Sequence, residues 1–416
     1  MRFGFPELSL AMLSAHLCLP AAVWAQHLPF QHGGDLAISL VTFGPGDQIH
    51  QFFGHNALVV EDKRSNRKTL YNYGLFSFGF DMLPKYMMGR LVFWAGRAPA
   101  EPTYRQYMAG NRDVRIHELN LVPERRLAVA RQLEHDVLPS NRDYLYHHYV
   151  NNCSTRVRDV IDGAIDGQLK QAGQHPARLS FRSHTRRYAQ VSTWFDLLLV
   201  FWMNDHMEQA IRIWHEGFLP EELERQVLAA SYLTPDGRRV ALVARTETRF
   251  KSSRTSTPEL PSRLWPELLV CGLSLGGIAV ALERKRRRTR RRWPVRALGA
   301  HNACVGLLFG LPGLLLFLMA TLTEHTVTYY NENLLLANPL TLLAVPLGIG
   351  LWVRPERSLR RLRRLWGMLA LLSILGLLLK ALPSFDQDNW LVVALVLPTN
   401  LGLGLAFYLG RRPAQA

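Results

Sequence analysis

The chain has 416 residues and a formal net charge of +16. That charge is concentrated in three short basic stretches, 284–296, 354–364 and 411–412, which lie between or after long apolar segments. Basic residues in such positions fix the topology of a membrane protein and contact anionic lipids. The net charge therefore does not indicate a nucleic-acid partner.

Residues 1–25 have the pattern of a secretory signal peptide. Arg2 precedes an interrupted apolar stretch that reaches Val23, and Val23-Trp24-Ala25 fits a cleavage site before Gln26. An uncleaved N-terminal anchor is the alternative. Both interpretations predict that residues 26–262 form an exported domain.

The pattern of residues 26–262 predicts an α+β fold. Asp35–Phe43 is a predicted strand that ends at a Gly-Pro-Gly turn, and a hairpin follows with strands near 57–60 and 70–74. Residues 114–121 alternate weakly as a strand, and Pro123 begins a helix that extends to about Leu138. Residues 221–250 then predict a helix, a turn and a strand. A linker rich in Ser, Thr and Pro follows at 251–261.

Two apolar stretches of this domain each have two interpretations. Residues 76–97 are rich in aromatic residues and Met, which indicates either core packing or a groove for acyl chains. The apolar run at 194–202 is too short to span the hydrocarbon region, which takes about twenty residues. It predicts a core helix, with a helix lying on the membrane face as the alternative.

Cys153 lies where a loop becomes a helix. Asn151, Asn152 and Ser154 supply N-cap oxygens, and apolar residues follow at helical spacing. The helix dipole lowers the pKa of a thiol in the first turn, and the thiolate is the nucleophilic form. The other cysteines fall in the signal or in apolar spans, so no disulfide partner is predicted. We interpret Cys153 as a nucleophile, and an inert buried thiol is the alternative.

His55 is the predicted general base for this nucleophile, because it directly precedes a strand in Phe-Phe-Gly-His-Asn. If the hairpin strands pair antiparallel, Asn72 lies near His55 and orients its ring, while a surface amide is the alternative. His147 and His148 are rival bases. They belong to an aromatic stretch before the cysteine that is a candidate wall of the site, with Tyr149 as a predicted substrate-binding residue.

The fifteen histidines of the chain form no recognisable metal motif. Neither His-Glu-x-x-His nor Cys-x-x-Cys occurs, and phosphate-cradling glycine loops are also missing from the sequence. We therefore expect neither a metal site nor a cofactor.

Residues 263–416 predict an all-α membrane domain of five spans, near 264–282, 303–322, 334–353, 365–382 and 390–409. With the exported domain outside, alternation of the spans places every basic cluster and the C-terminus in the cytoplasm, as the positive-inside rule requires. The chain is thus predicted to be a multi-pass membrane protein with its exported domain on the outer face.

The loop 324–338 between the second and third spans is unusually polar. His325, Asn331, Glu332 and Asn333 are candidates for contacting lipid headgroups or completing the site. A solvated loop without a binding role is the alternative.

Several short motifs together resemble the Lnb-type bacterial lipoprotein N-acyltransferases. They are Phe-Gly-His (53–55), Tyr-Asn-Tyr-Gly (71–74), Asn-Cys-Ser-Thr-Arg (152–156), Phe-Arg-Ser-His (181–184), Phe-Leu-Pro (218–220), Asn-Glu-Asn-Leu-Leu (331–335) and Asn-Pro-Leu (338–340). Each motif is short, but their order and spacing are specific. The resemblance implies a circularly permuted papain-like (NlpC-like) exported domain, with His55 as base and Cys153 as nucleophile.

The resemblance also implies a phospholipid acyl donor and, as acceptor, a lipoprotein with an N-terminal diacylglyceryl-cysteine. The residues permit this chemistry, because a thiolate that attacks an acyl ester forms a thioester that an α-amine then attacks. The backbone N–H of Cys153, with the Asn152 side chain, is the predicted oxyanion donor. A cell-envelope cysteine peptidase or amidase and a non-enzymatic scaffold are the alternatives.

Overall fold

The structure is a computed structural model that describes residues 30–77, 84–85, 88–289 and 291–408. The predicted signal peptide lies outside the described residues, as does part of the aromatic segment 76–97. Within the described residues, a mixed domain of strands and helices extends to Phe250, and long apolar helices begin at Trp265.

The mixed domain is built on an antiparallel sheet, which confirms the predicted strands of the first hairpin. The strands are β1 (Leu36–Phe43), β2 (His55–Asp62), β3 (Arg67–Leu75), β4 (Val92–Pro99), β5 (Val114–Leu119), β6 (Asp143–Leu145), β7 (Ser231–Leu233), β8 (Arg239–Ala241) and β9 (Val243–Phe250). Among the described residues, seven of them form one sheet in the order β6-β4-β3-β2-β1-β5-β9, and β7 pairs with β8. The two strands that carry the site, β2 and β3, are therefore interior.

Helices cover both faces of this sheet. They are α1 (Ala100–Ala109), α2 (Pro123–Asp136), α3 (Cys153–Ala164), α4 (Gln168–Ala172), α5 (Phe181–Ala189), α6 (Thr193–Trp202), α7 (Ile213–Glu216) and α8 (Pro220–Ala229). Buried side chains of α2, α3 and α8 pack with Ile38 and Leu40 on one face, and α1 packs with Val41 and Phe43 on the other. Alternate residues of β1 thus belong to two separate cores, as the two-residue period of a strand requires.

The membrane domain contains α9 (Trp265–Arg288), α10 (Trp293–Leu322), α11 (Ala344–Val353), α12 (Pro355–Leu379) and α13 (Trp390–Tyr408). The described part of the chain has five helical segments long and apolar enough to cross a membrane, and 3-10 turns from Glu332 lengthen the third. Helix α12 begins ten residues before the predicted span because Arg and Leu, good helix formers, continue the helix through the basic stretch.

Small residues allow the membrane helices to approach closely. Gly276 of α9 and Gly402 of α13 lie against each other, and a side chain at either position would collide with the facing backbone. Close backbone approach at small residues is a common way for membrane helices to associate, since lipid supplies no hydrophobic driving force between them.

Helix α6 joins the two domains. Val200 and Phe201 pack in the same apolar cluster as the membrane helices, and Trp194 is 77% exposed. The expectation that this run forms a core helix of the exported domain is therefore wrong, since its apolar end packs on the membrane domain. That packing fixes the exported domain against the outer end of the bundle.

Candidate active site

The hairpin of β2 and β3 brings His55 and Asn72 into contact. The antiparallel register pairs Ala57 with Asn72, and the His55 Nε2 lies 2.7 Å from the Asn72 Oδ1. Because an amide oxygen only accepts, Nε2 carries the proton and Nδ1 keeps a free lone pair. The ring also stacks on Phe43 and Tyr107, with centroids 6.2 Å and 6.4 Å away. Both contacts hold the ring in one orientation.

Cys153 is the first residue of α3 and lies over the end of this hairpin. Gly74 of β3 has a positive φ of 96°. A Cβ added there would lie 3.3 Å from the Cys153 Cβ and 3.9 Å from the His55 Cε1, so both side chains border the same small space. Any side chain at this position would fill the gap between thiol and imidazole. The thiol is partly exposed and forms no disulfide.

A buried contact beside the pair fixes α3 against β2. Ser154 donates to the Asn56 Oδ1 at 2.8 Å and Asn56 donates to Thr42 at 3.0 Å. Asn56 follows His55 in sequence and Ser154 follows Cys153, so this contact sets the position of both reactive residues. No local sequence pattern indicates this contact, because the partners are 98 residues apart.

Burial controls the protonation of the pair. Burial raises the pKa of the Cys153 thiol to about 11. Hydrogen bonds from the backbone N–H groups of Asn56, Ser154 and Cys153 lower this pKa by a smaller amount. Burial lowers the pKa of His55 to about 4, although the hydrogen bond to Asn72 raises it. The prediction that the start of the helix lowers the pKa of Cys153 is therefore wrong, because desolvation raises this pKa by more than the hydrogen bonds at the helix start lower it. The resting pair is a neutral thiol and a neutral imidazole.

Asn152 has a structural role instead of the predicted one. Its Oδ1 accepts from the Thr155 backbone at 2.9 Å, which caps α3. Its amide nitrogen donates to the carbonyls of His148 and Phe218 at 2.6 and 2.9 Å. Both amide hydrogens are thus used, and none remains for an oxyanion. The expectation that Asn152 is an oxyanion donor is corrected to a helix cap.

Tyr144 is the functional candidate that sequence reasoning passed over. Its hydroxyl lies 3.8 Å from the same Cβ position on Gly74 that is close to Cys153 and His55. It is buried and has no hydrogen-bond partner among the described residues. Burial raises the phenol's pKa, with the field of Cys153 adding to the rise, so the hydroxyl keeps its proton. The available signal was its place in the aromatic stretch before the cysteine.

The rival histidines do not share this arrangement. The imidazole of His148 packs in an aromatic cluster, 4.6 Å from the Phe53 centroid, and burial lowers its pKa to about 4. His147 accepts a hydrogen bond from the Tyr149 backbone at 3.3 Å. Burial lowers the pKa of His147, and its interaction with nearby His325 lowers it further. Neither histidine contacts Asn72. His55 remains the base that the geometry favours.

Tyr149 does not border the reactive space. Its side chain is buried, its hydroxyl lies 3.1 Å from the Thr185 Oγ1, and its ring packs on Phe181 and Phe218. The prediction that it binds substrate is therefore not supported. Its role is to connect the loop before Cys153 with α5.

Two of the four predicted loop residues hold the domains together, and a third is fixed within the membrane domain. Asn331 and Asn333 are buried and donate to the Phe201 carbonyl at the end of α6, at 3.3 and 2.9 Å. Glu332 pairs with Lys380 and accepts from the Gln387 backbone at 3.0 Å. The expectation that these three bind substrate is corrected, since their polar atoms meet protein partners. His325, beside His147, stays a predicted substrate-binding residue.

The outer loop also contacts the exported domain near the site. Glu324 pairs with Arg90, and its backbone N–H donates to the Met88 carbonyl at 3.0 Å. Asn204 donates to the carbonyls of Thr326 and Tyr329, each at 3.0 Å. Residues Met88 and Arg90, just before β4, and the loop after α6 therefore rest on the membrane domain.

Metal binding finds no support in the described part of the chain, where no group of three or more His, Cys, Asp or Glu side chains converges.

The fold and the site together define a class of protein: an exported domain with a Cys, His and Asn arrangement, joined to helices able to cross a membrane five times. A family model for the Lnb N-terminal periplasmic domain matches residues 31–188, and one for the Lnb transmembrane domain matches residues 275–405. The chain belongs to the Lnb family. No curated protein and no solved structure gives a significant match. It is thus a multi-pass inner-membrane protein whose N-terminal domain is periplasmic, of a family that points to lipoprotein modification.

Proposed function

We propose that the protein is a lipoprotein N-acyltransferase that moves an acyl chain from a phospholipid, through a Cys153 thioester, to the α-amine of a diacylglyceryl-cysteine. The observation that carries this proposal is the shared space bordered by Cys153, His55 and Tyr144 in a domain fixed on a membrane bundle. The order histidine, asparagine, cysteine along the chain further supports a circularly permuted papain-like domain.

Acylation begins from the neutral pair. As the Cys153 sulfur attacks the ester carbonyl, His55 Nδ1 takes the thiol proton, and Asn72 stabilises the imidazolium through Nε2. The carbonyl oxygen becomes an oxyanion that accepts from the Tyr144 hydroxyl. It also accepts from the backbone N–H of Cys153, which faces the sulfur in the resting site and turns to the oxyanion once the sulfur has bonded to the carbonyl carbon. Collapse of this intermediate breaks the ester C–O bond. The glyceryl oxygen takes the proton from His55, and a lysophospholipid leaves.

Transfer then reverses the roles of the groups. The neutral α-amine attacks the thioester carbonyl, and His55 takes the proton that the nitrogen loses. The C–S bond breaks, the sulfur is reprotonated from His55, and the product is an amide. An α-amine has a pKa of about 7.7–8.0, so much of it is neutral near pH 7.5.

The connection to the membrane domain explains how such a site would reach its substrates. Both the donor ester and the acceptor amine lie near the outer surface of the bilayer. Contacts of the outer loop with Arg90 and with the end of α6 hold the domain that carries Cys153 at this surface. We propose that the C-terminus is cytoplasmic, because five spans starting outside end inside.

The test uses the full chain in lipid nanodiscs with a diacylglyceryl-cysteine peptide. Wild-type protein and Cys271→Ala, a control that removes a thiol from a membrane helix, are expected to N-acylate the peptide and to gain one acyl mass on the protein. Cys153→Ala and His55→Ala are expected to do neither. Unchanged N-acylation in both variants would refute the proposal, and cleavage of peptidoglycan peptides without consumption of phospholipid would indicate a peptidase.

A further inference from the structure

A groove of about 730 Å³ lies between α11 and α12, at the end of the membrane domain opposite the outer loop. One part of its wall is apolar, with Leu343, Pro346, Leu347, Leu365 and Met368. The other part is basic, and its charged residues are Arg354, Arg357, Arg361 and Arg364. The groove is thus amphipathic: its arginines follow α12 from Arg354 to Arg364, and its apolar side chains lie on α11 and further along α12, as far as Met368.

The four arginines are arranged for an external anion. Their spacing of three, four and three residues places them on one face of the helical stretch. All four are exposed, and none forms an ion pair within the residues that the structure describes. The basic stretch after α9 differs, because Arg286 and Arg287 pair there with Glu283 at 2.6 and 3.2 Å. An unneutralised cluster of this kind attracts anionic groups.

The length of the groove fits one leaflet. Its α11 wall, the ten residues Ala344–Val353, rises about 15 Å at 1.5 Å per residue. Half of a hydrocarbon core of about 30 Å has the same depth. With the exported domain outside and the spans alternating, the end of the groove at Arg354 lies at the cytoplasmic surface, and the end lined by Leu343 and Met368 reaches towards the middle of the bilayer.

We infer that this groove is a binding site for one anionic phospholipid of the cytoplasmic leaflet. The phosphate and headgroup lie among Arg354, Arg357 and Arg361 towards the cytoplasmic end, and an acyl chain lies along the leucines of α11 and α12. Arginine suits the headgroup because its planar fork donates two hydrogen bonds to a phosphate. The site is separate from Cys153 and does not depend on the acyl transfer proposed above.

The test compares adjacent arginines of α12. Arg361 lines the groove, while Arg360 is equally exposed, carries the same charge and does not line it. Full-length wild type, Arg361→Gln and Arg360→Gln are placed in nanodiscs of phosphatidylglycerol and phosphatidylcholine, and lipid retained by the protein is counted by native mass spectrometry. We expect one phosphatidylglycerol retained in preference to phosphatidylcholine. Arg361→Gln is expected to weaken its retention about fivefold, the effect of one basic residue near a charged lipid, and Arg360→Gln to leave it unchanged.

A second variant tests the apolar end. Met368 is 40% exposed and lines the groove, so Met368→Trp is expected to fill the space and reduce retention without a change of charge. Equal losses in Arg360→Gln and Arg361→Gln would show a general surface charge effect and overturn the inference. Equal retention of both lipids by wild type would overturn it as well. Because the readout is bound lipid, a failed acyltransferase assay leaves the result interpretable.

Discussion

Replacing Tyr144 by Phe is the sharpest test of the proposed chemistry, because the structure separates its effects on stability and on rate. The Tyr144 hydroxyl is buried without a hydrogen-bond partner among the described residues. The ring itself is held by the Arg156 guanidinium, 4.4 Å from its centroid, and Phe keeps that contact. Removing the oxygen therefore takes no interaction from the resting protein.

The substitution is expected to leave stability unchanged or raise it, and to lower the rate of catalysis. Loss of an unsatisfied buried hydroxyl leaves the free energy of unfolding unchanged or raises it by about 1 kcal/mol. Loss of an oxyanion donor costs the transition state about 3–4 kcal/mol, which corresponds to a fall in kcat of roughly 100- to 1,000-fold. The acylation step should carry this fall, since the oxyanion forms there first.

The assay follows the gain of acyl mass on Cys153 in single-turnover experiments, together with thermal unfolding. Tyr71→Phe is the matched control, because the Tyr71 hydroxyl donates to the Glu134 carboxylate and not to a group that borders the reactive space. It is expected to lower stability by about 1–2 kcal/mol and to keep the acylation rate. Wild-type kinetics in Tyr144→Phe, or a loss of rate that matches a loss of stability, would refute the role of the hydroxyl.

Three further predictions follow from the same contacts. Burial lowers the pKa of His55 to about 4, below the value of about 6.5 for an unfolded histidine, so the folded protein binds fewer protons in that interval. The free energy of unfolding is therefore highest above pH 6.5 and falls by up to about 3 kcal/mol as the pH decreases towards 4. Melting curves of His55→Gln should show a weaker pH dependence. Asn72→Ala should lower kcat roughly 10- to 100-fold, because the imidazole proton is then no longer held on Nε2, and thermal stability should be nearly unchanged. Asn333→Ala removes the acceptor of the Asn389 amide and the shorter of the two side-chain hydrogen bonds that the Phe201 carbonyl accepts. It should lower the melting temperature of the detergent-solubilised chain while Asn338→Ala, which loses only a turn contact to Leu340, lowers it less.

Local patterns in the sequence were enough for the elements that carry the site. The hairpin of β2 and β3 and the helix that begins at Cys153 follow from strand alternation, turn residues and capping, which act within a few residues. The five membrane helices follow from the length of their apolar runs. The position of Asn72 beside His55 was available from the hairpin alone, because a short turn fixes the register.

Tertiary structure decided what these elements do to one another. Burial sets the neutral state of Cys153 and His55, and a sequence does not reveal how deeply a first helical turn is desolvated. Asn152 is a candidate oxyanion donor from sequence alone, but in the structure both of its amide hydrogens are donated to the carbonyls of His148 and Phe218. The orphaned hydroxyl of Tyr144 is likewise visible only in three dimensions. Local sequence fixes which groups are present, whereas burial and distant partners fix which of them stay free to react.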